Sequence, residues 1–436
     1  GARRFRGGAR AYLRRYAFGN ADWADLVALL DGRTDEDLAA WSRAWVEERG
    51  RPRLSTARTL DDAGNLARLE VVQEDPAGLG RLWPQRVIVT LATTTTVTQV
   101  PLSLTGRVTS VPGVAGLDGR SYALVNGAGL AYGDVVLDEP SRVALLSAIE
   151  GIGDPLERGA AWVTLWDNML GGRISASSFV DALARALPSE ADNQNSNRML
   201  GYLTRTFWKF LPPADRAARA PSLEALLGRG LDRATTASQK SAWFAALRDV
   251  TLSAEGVRFL TRVWRHDEQI PGLTLAETDE MTLAMELALR AEDEAPGLLA
   301  NQLERIGNPD RRARFAFVMP ALSPDAAVRE AAFAAFAMLE NRRREAWVLE
   351  AQGYLNHPLR EAHAMRFVGP SLALLEEIAR TGDIFFPRRW VDASLAGHRS
   401  PDAAALVERF LASNPGLPER LRWVVLAAAD DLIRLP

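Results

Sequence analysis

The sequence predicts a mostly α-helical protein: a small β-sandwich followed by an irregular HEAT-like α-solenoid, with a short helical segment in front. Three observations carry this. Between Pro52 and Asp138, β-branched stretches partly alternate in polarity, as half-buried strands do. From Pro140 onward, apolar residues recur at helical spacing with almost no strand signal. The change of character falls at Asn126-Gly127-Ala128-Gly129-Leu130-Ala131-Tyr132.

The first 50 residues read as helical. Trp23, Leu26, Leu29 and Leu30 recur at helix spacing and stop at Asp31-Gly32. Thr34 is the expected cap of the next helix, with Asp37 three residues on as an acidic capping-box partner. Leu38, Trp41 and Trp45 then share one face, and Gly50 ends the helix. Strands are expected from Leu66 to Glu74, Arg86 to Leu91 and Thr98 to Thr105, with glycines and prolines between them. Gly127-Ala128-Gly129 has Tyr132 where a dinucleotide fingerprint needs glycine, and it precedes a strand-like Leu130 to Leu137. A turn between two strands is the reading.

Val143, Leu146, Ile149 and Ile152 open the helical part, and Trp162, Leu165, Trp166 and Met169 give the next face. Gly171-Gly172, Pro188, Pro212-Pro213, Pro221, Gly228, Pro309, Pro370 and further glycines and prolines interrupt the pattern. They leave helices of about 10–18 residues joined by short loops. Paired helices without an exact repeat fit a HEAT-type array.

At 436 residues the chain exceeds one ordinary core, which favours two or three domains. A net charge of -3 supplies no field for nucleic acid. Lys209 and Lys240 are the only lysines, and the arginines are spread along the chain, a bias of genome composition. With no cysteine, disulfides and thiol chemistry are excluded. No stretch approaches the ~20 apolar residues that span a bilayer. Gly1-Ala2-Arg3-Arg4-Phe5-Arg6 has no apolar run behind it and is not read as a signal peptide. The missing initial Met raises the expectation that something upstream is absent.

Residues that could do chemistry are few. Of His266, His357, His363 and His398, only His357 and His363 are close, six apart with Pro358 between them, a poor chelate on one helical face. Neither H-E-x-x-H nor G-x-S-x-G occurs. The run Glu190 to Asn197 lacks the ordered spacing of a calcium loop and reads as a helix-capping loop. Glu292-Asp293-Glu294 and Arg342-Arg343-Arg344 read as solvated helix ends. Arg388-Arg389-Trp390, after Pro387, is the one candidate binding site. Its arginine forks suit a carboxylate and its Trp would wall off water, while an arginine stacked on that Trp is the plainer alternative.

Set side by side, several segments resemble the C-terminal part of zinc aminopeptidases of the aminopeptidase N family. Tyr12-Leu13 through Trp41-Ser42-Arg43-Ala44-Trp45-Val46 and Gly50-Arg51-Pro52 look like the last helices of that family's thermolysin-like catalytic domain. Asn126 to Tyr132 is similar to its N-x-x-G-x-x-Y segment, and Arg158 to Asp167 to its first C-terminal helices. Thr381-Gly382-Asp383-Ile384-Phe385-Phe386-Pro387 resembles a segment of some bacterial branches.

The resemblance implies three parts: residues 1–51 as a helical tail of a catalytic domain, 52–138 as a β-sandwich, and 139–436 as a HEAT-like C-terminal domain. It implies a zinc aminopeptidase that removes N-terminal residues from peptides. The zinc ligands, the general-base glutamate and the G-x-M-E-N loop would all precede Gly1, so no catalytic, cofactor-binding or metal residue is expected in this chain. Its expected role is to cap the active site and form the peptide chamber, with Arg388 and Arg389 as substrate-contact candidates. Peptide substrates and its own catalytic domain are the expected partners, with no nucleic acid and no membrane, and a cytoplasmic location is expected. A free-standing HEAT-like protein-binding scaffold is the alternative.

Overall fold

The computed structural model describes residues 2–93 and 96–434. The chain divides into two compact units, Gly1–Asn168 and Met169–Pro436.

The first unit opens with helices Ala2–Arg15, Trp23–Asp31 and Leu38–Ser42. Asp37, rather than Thr34, caps Leu38–Ser42 by accepting from Ala40 N; Thr34 Oγ1 accepts only from Glu36 N. A π-helix, Arg43–Glu47, follows. The wider turn breaks the expected helical face, and Trp45 reaches Pro84 O and the ring of Tyr132.

Seven strands follow: β1 (Arg53–Leu60), β2 (Leu66–Glu74), β3 (Gln85–Ala92), β4 (Val97–Leu104), β5 (Val108–Ser110), β6 (Tyr122–Leu124) and β7 (Asp134–Val136). They form one sheet in the order β5-β2-β1-β7 and another in the order β4-β3-β6. β1 runs antiparallel to β2, with Leu54 opposite Gln73, and parallel to β7, with Leu54 opposite Val135. Leu54, Leu69 and Val71 from one sheet and Val87, Val89, Leu91 and Leu104 from the other share one apolar core. That is the outcome of period-two alternation on both inner faces.

The Asn126–Tyr132 segment is a turn between strands, as expected, with Gly129 at φ 67°. Gly127 is obligatory, because a Cβ there would lie 2.0 Å from Thr90 Oγ1. The following strand is shorter than expected: it begins at Asp134, and Leu130 and Tyr132 are exposed. Asp138 caps helix Glu139–Ala148 and ties it to β1 through Arg58. Ile149 and Ile152 are buried as expected, whereas Val143 is 60% exposed and Leu146 half-buried, and Leu145 takes the buried position between them. In helix Pro155–Leu170, Trp162, Leu165, Trp166 and Met169 are buried as expected.

In the second unit, helices follow one another from Ala176–Ala186 to Glu419–Arg434. Gly172, at φ 72°, follows the end of helix Pro155–Leu170. Asp192 caps helix Asn193–Arg205, so residues 190–192 form the expected capping loop, while 193–197 are the first residues of the helix itself. Three expected breaks do not occur. Pro221 and Gly228 lie inside helix Pro213–Arg233, and Pro370 inside Glu361–Ala373. A proline removes one helical hydrogen bond, but buried Leu223, Leu227 and Leu231 hold the first helix through, as do Phe367, Val368 and Leu372 the second. Arg342 is not solvated either: at 2% exposure it donates to Phe336 O and Ala337 O and pairs with Glu377.

A recurrent contact orders these helices. Arg290 holds Thr251 O, 39 residues back, and Arg305 holds Trp264 O, 41 back. Arg360 holds Ala321 O and Leu322 O, 39 and 38 back. Glu361 accepts from Ser400 N, 39 ahead. Helix ends leave backbone groups without intrahelical partners, and here a long side chain of another helix satisfies them. Among the described residues, no helix is long and apolar enough to cross a membrane.

Candidate functional site

A recess of the second unit has a volume of about 1020 Å³. Its walls come from helices Asn193–Arg205, Ala237–Val250, Phe386–Leu395 and Glu419–Arg434. Gly201, Ser238, Ser241, Ala242, Ala245 and Ala428 line it, and these small side chains keep it open.

One wall is shaped by a π-helix, Thr206–Phe210, which continues helix Asn193–Arg205. A π-turn inserts one residue, so side chains beyond it point off the α-helical stripe. Lys209 Nζ donates to Leu395 O at 2.9 Å, Ala396 O at 3.3 Å and His398 O at 2.8 Å. An ammonium has three donors, so none remains for a ligand. Burial lowers this amine to about 8. Beside it, Trp208 Nε1 donates to Asp249 O at 2.9 Å. Its ring is flanked by the guanidinium groups of Arg216 and Arg290 at 5.2 and 5.7 Å, and by the imidazole of His357 at 4.7 Å. Burial holds His357 neutral, with its pKa lowered to about 3.

Three acids and three bases line the recess: Asp249, Asp392 and Asp431 against Arg205, Lys209 and Arg388. Arg205 pairs with Asp431, and Arg388 with Asp392 at 2.8 Å. Asp249 accepts from Arg248 at 2.7 Å. Burial nevertheless raises the Asp249 carboxyl pKa, although a third of the side chain still meets water. That combination describes a recessed wall. The recess is balanced in charge and lined in part by small side chains.

Of the sequence candidates, Arg388 lies on this wall and also donates to Ala427 O at 3.2 Å. Arg389 does not line it; its guanidinium sits 5.8 Å from the ring of Phe385. Trp390 is no wall of a site: it is fully buried and donates to Ser371 O. Sequence reasoning missed Lys209, Trp208, Asp249 and Arg205. The rarity of lysine was the available signal for Lys209, and both lysines prove to hold helix-end carbonyls, Lys240 reaching Leu231 O at 3.0 Å.

The histidines do not converge. His357 packs on Trp208, His363 on Phe367, His266 meets Glu280, and buried His398 bonds Asn356 at 3.0 Å. Among the described residues, no three His, Cys, Asp or Glu side chains are grouped to hold a metal.

No protein-family model matches the chain. It is 25% identical over 292 residues to the Aminopeptidase N of Streptomyces lividans, a match covering 62% of this chain and 33% of that protein. It is 27% identical over 185 residues to the Aminopeptidase N of Lactococcus lactis subsp. lactis, covering 41% of this chain and 20% of the relative. The solved structure of Legionella pneumophila aminopeptidase A in complex with aspartic acid has a similar fold, with a TM-score of 0.63 and 13% identity. That similarity covers 100% of this chain and 55% of the other. The chain spans about a third or less of the curated relatives it matches.

Proposed function

From this relationship to aminopeptidases, we propose that the chain is the non-catalytic C-terminal part of a zinc-dependent aminopeptidase that removes N-terminal residues from peptides. The zinc and its ligands belong to a catalytic segment outside these residues. Residues 1–51 complete that segment, 52–138 form a β-sandwich linker, and 139–436 form a HEAT-like helical domain that caps the active site and walls the peptide chamber. The observation that carries this reading is the recess of about 1020 Å³, open, charge-balanced and without a reactive constellation, in a chain whose relatives are aminopeptidases.

The contacts that recur 38 to 41 residues apart support a HEAT-like array, since stacked helix pairs repeat their neighbour contacts at the repeat length. Enclosing a reacting peptide excludes water and holds it in register. Within the recess, Arg388 is the group to meet a peptide carboxylate, sharing its fork between that ion and Asp392. Arg389, beside the exposed ring of Phe385, serves at the surface.

The test has two arms. Zinc is added to the purified 436-residue chain with an aminoacyl-amide substrate, and the reading frame upstream of the Gly1 codon is sequenced. No hydrolysis, together with an upstream H-E-x-x-H motif and a glutamate beyond it, is the expected result. Hydrolysis by the chain alone overturns the non-catalytic assignment. A stop codon directly upstream overturns the capping role and favours a protein-binding scaffold.

A further inference from the structure

A second cavity of the helical unit, about 350 Å³, lies between helices Asn193–Arg205, Pro213–Arg233 and Ala237–Val250. It is separate from the recess of the proposed chamber except for Asn197, which borders both. Its apolar wall comes from Leu187, Pro188, Leu226 and Trp243. Its polar side holds Arg229 and Arg233, one turn apart on Pro213–Arg233.

Two features single it out. First, the side chains of Arg229 and Arg233 have no ion pair or hydrogen bond with other described residues, whereas those of the arginines at the recess do. An unpaired guanidinium keeps five donors in a planar fork, the geometry that fits a carboxylate. Second, Gly230 lies between them, and a Cβ there would come within 2.2 Å of the Trp243 ring. Glycine inside a helix weakens it. Here the bare backbone lets the indole lie against the helix between the two arginines. Local propensity is given up at the point where an aromatic wall and a pair of free cations meet, which is where functional sites break local rules.

We propose that this cavity binds a small organic carboxylate bearing an apolar group, held by Arg229 and Arg233 with its apolar part on Trp243. The mixed wall favours such a ligand over an inorganic anion, because a pocket of this size recognises by apolar contact plus a few placed polar groups. Glu190 also lines the cavity and carries the opposing charge, but its Oε1 accepts from Asp192 N at 2.9 Å, which turns that oxygen to the loop. The proposal does not depend on the aminopeptidase reading, since it is tested by binding to this chain alone.

The test titrates the full chain with 3-phenylpropionate, its uncharged amide and inorganic phosphate, by calorimetry and by Trp fluorescence with W243F as the blank. Saturable binding of the carboxylate is expected, with the amide and phosphate at least about tenfold weaker. Arg229→Ala/Arg233→Ala, both exposed positions, weakens the carboxylate at least about tenfold with unchanged melting temperature. G230A weakens it by displacing the indole, and R388A, in the other recess, leaves it unchanged. Absence of saturable carboxylate binding, equal binding of the amide or of phosphate, or an unaffected double variant overturns the proposal.

Discussion

Lys209 Nζ lies 2.9 Å from the carbonyl oxygen of Leu395, a contact between residues 186 positions apart. Ala396 O and His398 O complete the coordination, so one ammonium closes the C-terminal end of helix Phe386–Leu395, the helix that carries Arg388. A cation at a helix C-terminus also meets the negative end of its dipole. The recess therefore keeps two of its walls in register through a group that itself never reaches a ligand.

This lysine predicts a pH dependence. Burial lowers its pKa to about 8 from 10.5. Between those values the unfolded chain binds a proton that the folded chain does not, so the linkage slope is positive. Stability measured relative to Lys209→Met should rise as pH climbs from 8 towards 10.5, by at most about 3 kcal/mol over the window. Paired melting curves read the difference. A difference that is flat or falls with pH contradicts the burial of this amine.

Gly397 predicts a steric failure. A Cβ at 397 would lie 1.6 Å from Asn356 O, a backbone atom that cannot rotate away. Gly397→Ala should cost about 3 kcal/mol or more, since overpacking against fixed backbone leaves no relaxed rotamer. Gly353, inside helix Glu345–Leu355, is the control, because a methyl added there would meet nothing within 4 Å. Gly353→Ala should be neutral or stabilise by up to about 1 kcal/mol. Thermal denaturation of the two variants checks both.

Arg58 predicts the weak point of the first unit. Its Nε and Nη2 donate to Asp138, its Nη1 to Gly119 O and Ser121 O, and its Nη2 also to Ser141 Oγ. Arg58 is 9% exposed and Asp138 16%. Arg58→Ala leaves a buried carboxylate and two carbonyls short of partners, and should cost about 3–5 kcal/mol. Burial alone would raise the Asp138 pKa, but the Arg58 and Ser141 hydrogen bonds hold it below 3.8. That contribution is present above pH 3.8 and is lost as pH falls through the lower folded value. Acid titration of unfolding should show a step that Arg58→Ala lacks.

How much of this was legible varied with the strength of the local pattern. Strands β2 and β3 and the Trp162–Met169 face were readable because side-chain period is set by backbone geometry. The prolines misled: Pro221 and Pro370 stay inside helices because neighbouring leucines and other apolar side chains bury the same stripe, and tertiary packing outweighs one lost hydrogen bond. The π-helix at Thr206–Phe210 leaves no periodic trace, so the direction of Trp208 and Lys209 was hidden. The recess was hidden for a different reason. Its walls join residues as far apart as Arg205 and Asp431, and alanines and serines that make space look featureless in a sequence. Arg388 was found from its neighbours in sequence, Pro387 and Trp390, yet its place on the recess wall owes nothing to that Trp, which points into the core.

The most direct measurement fills the recess. Ser241 is exposed and lines it, so Ser241→Trp, made in the longer aminopeptidase proposed above, occupies the space with little effect on stability. Rates are compared on a single-residue amide and on a peptide of about ten residues. A peptide-holding recess predicts an unchanged rate for the amide and a fall of about tenfold or more in kcat/KM for the peptide, equivalent to about 1.4 kcal/mol of lost transition-state binding. Rates unchanged on both substrates, with the variant folded, would contradict a peptide-holding role for the helical unit.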